Sequence, residues 1–174
     1  MKSKDDYITC IISSGRPFRV EPMKDIIGKA IWFVPKDEVK DYKNCEIIPV
    51  DNGLSEARNA ALEYCFKKGK ICLMLDDDVK GAVRLINKDK IEKIPCGEAL
   101  NELYTQLINS PMNLGGFTML TNMYWFKPTN NRISLKTPLS AQVMMIKPSK
   151  PRFDTGLEVS EDTDFTLQHI VEYG

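Results

Sequence analysis

The chain has 174 residues, with 24 lysines and arginines against 24 aspartates and glutamates, so its formal charge is zero and bulk charge selects no class of partner. That length buries one sizeable core, so a single domain over residues 1–174 is expected. No apolar run approaches the roughly 20 residues of a membrane span, and the opening MKSKDDYITC has no signal-like apolar stretch, so no membrane partner and a cytoplasmic location are expected. In chain order, Tyr7–Ile12 (YITCII) is β-branched and apolar and reads as a strand. The loop signal SSGRP follows it. Residues 30–34 (AIWFV) read as a second strand, and Glu46–Val50 (EIIPV) as a third, with Pro49 marking an edge or a strand end. Residues 55–68 carry apolar side chains at 57, 60, 61, 64 and 65, the spacing of a helix face, with Ser55 to cap the start and Gly69 the end. Residues 71–75 (ICLML) are almost continuously apolar, which suits a parallel strand buried on both faces. Residues 96–110 have helical spacing, 115–120 and 142–146 read as strands, and 160–173 as a helix that Ser160 caps.

Five cysteines, at 10, 45, 65, 72 and 96, form no CxxC pair and are odd in number. They read as reduced thiols, with Cys10, Cys65 and Cys72 inside apolar patterns.

Strands alternating with helices predict an α/β domain around a mixed, mostly parallel sheet flanked by helices. Ligands bind such sheets beyond the carboxyl ends of the strands. The loop at Ser13, Ser14, Gly15 and Arg16 and the triplet Asp76, Asp77 and Asp78 both lie at such ends. Two polar loops are therefore expected on one edge of the sheet.

The triplet follows a buried strand directly (LMLDDDV). Adjacent carboxylates repel and are costly to desolvate unless a cation or donors compensate. They are either solvated or they hold something positive. Asp76 and Asp78 are two apart, so an extended backbone points both to one side, an arrangement that suits Mg²⁺ or Mn²⁺. No GxxxxGK[ST] occurs, which removes the P-loop reading. GLSEARNAAL places Arg58 and Asn59 in the first turns of the helix that feeds this strand, where phosphate binds well; alternatively Arg58 pairs with a nearby acid. EDTD puts Glu161 and Asp162 in a first helical turn, where acids suit the helix dipole and a catalytic base is also possible. His169, the only histidine, reads as structural.

The series IISSGRP, GLSEARNAAL, LMLDDDV and FDTGLEVSEDTDF, in this order, resembles the GT-A glycosyltransferases, and the match spans nearly the whole chain. Within that fold, SSGRP, DDDV and the tail MMIKPSKPRFD…EDTDFTLQHIVEYG are most similar to the TET-associated glycosyltransferases of phages. The resemblance implies a GT-A, Rossmann-like fold with a nucleotide-sugar half over about residues 1–80 and an acceptor half over about 81–174. It implies transfer of a sugar from a nucleotide diphosphate-sugar, a UDP-sugar by expectation, to hydroxymethylated pyrimidines in DNA. In these terms Ser13, Ser14, Gly15 and Arg16 line the nucleotide pocket and Arg58 contacts the nucleotide or its diphosphate. Asp76 and Asp77 face the donor, Asp76 and Asp78 bind Mn²⁺ or Mg²⁺, and Asp162, or Glu161 beside it, is the base. Related folds often add a metal ligand downstream of the ED helix. The expectation is therefore of a minimal enzyme, a shortened chain or one inactive alone.

Independently, no acidic residue occurs between Glu102 and Asp154, whereas Lys127, Arg132, Lys136, Lys147, Lys150 and Arg152 do, interleaved with Tyr104, Phe117, Tyr124, Trp125 and Phe126. Charge for phosphates and rings for bases suit a nucleic-acid groove; the alternative is core aromatics beside a solvated basic face. Two rival functions stand beside DNA glycosylation: a GT-A transferase for a glycan, lipid or protein acceptor, and a non-catalytic nucleotide- or Ca²⁺-binding module. The sugar, the base, the stereochemistry and the oligomeric state are left open.

Overall fold

The computed structural model describes residues 6–87, 90–117 and 139–173. Its elements in chain order are β1 (Tyr7–Ile12), α1 (Val20–Ile27), β2 (Ile31–Pro35), β3 (Glu46–Val50), α2 (Leu54–Lys67), β4 (Ile71–Asp76), β5 (Ala82–Asn87), β6 (Lys90–Ile94), α3 (Cys96–Ile108), β7 (Leu114–Gly116), β8 (Val143–Ile146) and α4 (Glu161–Tyr173). The main sheet has the order β3-β2-β1-β4-β8-β7. β3, β2, β1 and β4 are parallel, whereas β8 runs antiparallel to both β4 and β7. β5 and β6 form a separate antiparallel hairpin.

The alternation of side chains along each strand divides the core in two. Cys10, Phe33, Cys72, Met74, Met144 and Ile146 meet Ala61, Leu62 and Cys65 of α2 and Phe165 of α4 on one face. Ile11, Trp32, Val34, Leu73, Leu75 and Met145 meet Val20 and Met23 of α1 and Leu100, Leu103 and Leu107 of α3 on the other. Helices on both faces explain why β4 is apolar without alternation. Pro49 sits in β3, an edge strand, where its missing N–H is tolerated.

Several elements depart from the sequence reading. α1 has no counterpart there; Pro22 occupies its first turn, the one place where a helix tolerates proline. The β5–β6 hairpin was likewise not anticipated. The strand expected at 115–120 is Leu114–Gly116, and 118–120 fall outside the described residues. Ser55 does not cap α2. The capping position is Gly53, at φ 137°, and Ser55 lies buried inside the first turn. A side chain at Gly53 would be strained and would collide with the Glu56 carboxylate. Gly69 does end α2: at φ 64° its N–H donates to the Phe66 carbonyl while the Lys70 N–H reaches Cys65, closing the last turn. α4 begins at Glu161, and the Ser160 carbonyl accepts from the Asp164 N–H at 3.0 Å.

Candidate active site

β1 and β4 pair with Ile12 opposite Asp76, so the loop after β1 and the triplet after β4 leave the sheet side by side. This puts the two polar loops on one edge, as strand order alone predicts. α2 runs back from the carboxyl end of β3, which brings its amino terminus to the same edge, and α4 starts there against Arg58.

Asp77 is the hub of the first cluster. β4 ends at Asp76, so strand alternation stops and Asp77 turns inward, 3% exposed. Its Oδ2 accepts from Ser13 Oγ at 2.6 Å and its Oδ1 from Arg16 Nη1 at 2.8 Å. Arg19 Nε donates to the Asp77 carbonyl at 2.6 Å and Arg19 Nη2 to the Val79 carbonyl at 3.2 Å. Because the Ser13 proton goes to Asp77, Tyr42 donates to Ser13 Oγ (2.7 Å) and itself accepts from the Arg16 N–H (3.1 Å). The chain of donors runs Arg16, Tyr42, Ser13, Asp77, and such chains strengthen one another in a low dielectric. Ser14 Oγ and the Gly15 N–H both donate to Glu38, at 2.8 and 2.6 Å. Arg16 keeps 52% of its side chain exposed and can still reach a ligand.

Arg58 is the hub of the second cluster. It is 3% exposed, lies 5.3 Å from the centre of the Phe153 ring, and donates through Nη1 to Glu161 and through Nη2 to Asp76 (3.3 Å). Its Nε is buried without a partner among the described residues. A guanidinium so placed joins α2, β4 and α4. Burial and two carboxylate partners occupy it. Asn59 holds the same segment by exchanging hydrogen bonds with the Phe153 backbone, at 2.8 and 2.9 Å. Phe153 in turn stacks on Phe165 with centroids 4.0 Å apart.

Burial pushes the Asp76 carboxyl above its ordinary value; Arg58 opposes this, and the negative charges of Asp78 and Asp77 add to it. Asp78 is exposed. Two carboxylates at a strand end, one destabilised by burial and like charge, fit a hard divalent cation by donor type. Asp77 is not part of that set, since both of its oxygens serve the first loop.

Asp162 accepts from the Ala141 N–H through Oδ2 (3.2 Å) and from the Thr163 N–H through Oδ1 (2.7 Å). It ties α4 to the segment that enters β8. A cleft of about 330 Å³ lies between the amino ends of α2 and α4, lined by Gly53, Ser55, Glu56, Thr155, Glu158 and Glu161.

Lys147, Lys150 and Arg152 are placed elsewhere. β8 runs against β4, with Ile146 opposite Cys72, so Lys147 leaves at the amino edge, away from the carboxylates. Its Nζ donates to the Ser110 carbonyl at 3.1 Å. Lys150 pairs with Glu172 at 2.6 Å. Arg152 Nη1 donates to the carbonyls of Ser149, Lys150 and Pro151, and its guanidinium covers Phe66. Lys127, Arg132 and Lys136, with Tyr124, Trp125 and Phe126, lie outside the described residues. His169 is buried, bonded to the Phe165 carbonyl at 2.9 Å and to Ser149 at 3.1 Å.

Glu38, Tyr42, Arg19 and Phe153 were missed by sequence reasoning. Only the last had a local signal, the RFD of the tail motif; the others act across the fold on partners that spacing does not reveal. No protein-family model matches this chain, and no curated protein sequence matches it. No helix among the described residues is long and apolar enough to cross a membrane.

Proposed function

We propose that this chain is a GT-A-type glycosyltransferase that moves a sugar from a UDP-sugar onto hydroxymethylated pyrimidines in DNA, as phage DNA modification in the host cytoplasm requires. The observation that carries the reading is the convergence on one sheet edge of a partly buried Asp76 beside like charge, an exposed Asp78 and the half-exposed Arg16. Mn²⁺ or Mg²⁺ held by Asp76 and Asp78 would supply neutralising charge at the leaving diphosphate when bound. Arg16 and the loop at Ser13, Ser14 and Gly15 bind the nucleotide. Arg58 holds Glu161, and with it the start of α4, against Asp76, which positions Asp162. Asp162 takes the proton of the acceptor hydroxyl as that oxygen bonds to the sugar's anomeric carbon; the bond from that carbon to the diphosphate breaks, and the nucleotide diphosphate leaves with the electron pair.

DNA as acceptor rests on the tail motif and the acid-free stretch of residues 103–153. A second reading, a glycan, lipid or protein acceptor, is favoured by one observation. The cleft at the start of α4 is lined by Glu56 and Glu158, which repel phosphate, and by Glu161, which Arg58 pairs. The test is mass spectrometry of hydroxymethylcytosine DNA after incubation with several UDP-sugars and Mn²⁺. A hexose added to the base supports the first reading. Donor turnover with unmodified DNA moves the acceptor to the second, and absence of any sugar-nucleotide turnover or binding overturns both.

A further inference from the structure

Cys10 of β1, Cys65 of α2 and Cys72 of β4 form a second constellation, inside the layer between the sheet and α2 and unused by the proposed chemistry. All three are free thiols with no solvent exposure. Their sulfurs lie within 4.8 Å of one another, and the Cys10 and Cys65 sulfurs are 3.4 Å apart. A metal–sulfur bond of about 2.3 Å places the three sulfurs of a planar trigonal site about 4 Å apart, inside the range observed. We propose that these three thiols form a buried three-coordinate site for a thiophilic monovalent cation, copper(I).

Donor type and number select the ion. Thiolates favour soft cations. Structural zinc closes with four ligands, and among the described residues no other histidine, cysteine, aspartate or glutamate joins the cluster. Met74, a further soft donor, shares this sheet face as the register partner of Cys10. Hydrogen bonds from Cys10 and then Cys72 hold the Cys65 thiol well below the ordinary thiol range. Its hydrogen bond to Cys65 pushes Cys10 up, and burial pushes Cys72 up. Binding displaces the thiol protons, so loading depends on pH. The ion would clamp β1, α2 and β4, the elements whose ends carry Ser13, Arg58 and Asp76. The burial of all three sulfurs makes loading a folding-coupled event.

The experiment unfolds the full reduced chain in urea without oxygen and refolds it with copper(I), zinc or cadmium in separate arms. Metal per chain is read after gel filtration against a copper(I) chelator. The expected result is one copper per chain, a raised urea midpoint and protons released on binding. The Cys45→Ser/Cys96→Ser double variant should behave like wild type, and Cys10→Ala, Cys65→Ala and Cys72→Ala should each lose the ion. Copper X-ray absorption on the wild type needs no variant to fold. Three sulfurs at one distance support the site, whereas two sulfurs, or nitrogen and oxygen donors, overturn it. Loss of copper on gel filtration, equal retention by Cys65→Ala, or preference for zinc would also overturn it.

Discussion

The two edges of the main sheet use the same residue types differently. Arg58, at the carboxyl edge, is buried between the carboxylates of Glu161 and Asp76. Arg152, toward the other end of α2, spends its guanidinium on three backbone carbonyls and the Phe66 ring. Arg58 thus joins side chains of three elements, whereas Arg152 closes its own loop. At the carboxyl edge Arg16 and Asp78 keep exposed charge, whereas Lys147 and Arg152 toward the amino edge bond backbone carbonyls.

The largest effect is expected from Arg58→Met. Removing one partner of a buried ion pair leaves the other uncompensated and costs about 3–5 kcal/mol. Urea unfolding of Arg58→Met and Arg152→Met side by side should give the larger loss to the former; equal losses would erase the contrast between the edges. Next comes the pair Asp77→Asn and Asp78→Asn. Asp77 is buried and bonded to Ser13 and Arg16, so its neutral variant should lose about 1–3 kcal/mol. Asp78 is exposed beside like charge, so Asp78→Asn should hold or slightly raise the stability of the metal-free protein. Comparable destabilisation by both would mean that the triplet acts as one structural unit.

A smaller effect follows from pH. Asp76 is raised above its ordinary 3.8, so its contribution to stability is complete below that value and lost as pH rises through the raised one. Ionisation at neutral pH therefore costs the empty site stability, and a cation relieves it. Mn²⁺ affinity should fall about tenfold per pH unit below the raised value as protons compete. A flat affinity across that window would remove Asp76 from the ligand set. His169 has the opposite sign. Burial lowers it from 6.5, so its contribution is present above 6.5 and lost as pH falls through the lowered value. His169→Gln should flatten the acid limb of stability there, and an unchanged limb would assign it to other groups.

How much of this was legible in the sequence depends on the range of the interaction. β1 and β3 match their expected bounds, and β2, β4, α2 and α4 fall within a residue at each end, because their apolar periods record which faces are buried. The meeting of SSGRP and DDD followed from parallel order alone. The inward turn of Asp77 did not: its partners Ser13 and Arg16 lie 64 and 61 residues earlier, and nothing in DDD tells the second carboxylate from the third. Arg58 was legible as important but not as buried, since its partner Glu161 is 103 residues away. α1 was hidden by its proline and its short length.

The smallest effect is expected from Lys150→Ala, which removes one exposed pair with Glu172 and should leave stability within error. It is therefore a cleaner probe of DNA than any change at Lys147 or Arg152, both of which bond backbone carbonyls. If Lys150 contacts a phosphate, the variant lowers the salt dependence of DNA binding by about one counterion. An unchanged slope would place DNA contacts elsewhere.

The central claim is that the carboxyl edge is a cation-assisted sugar-nucleotide site. The most direct measurement is calorimetric titration of a UDP-hexose into the wild type and Asp78→Asn, each with and without Mn²⁺. The account predicts binding to the wild type that strengthens with Mn²⁺, and an Asp78→Asn protein that folds normally but gains nothing from the metal. Equal Mn²⁺ enhancement in both proteins, or no nucleotide binding to the wild type under either condition, would contradict it.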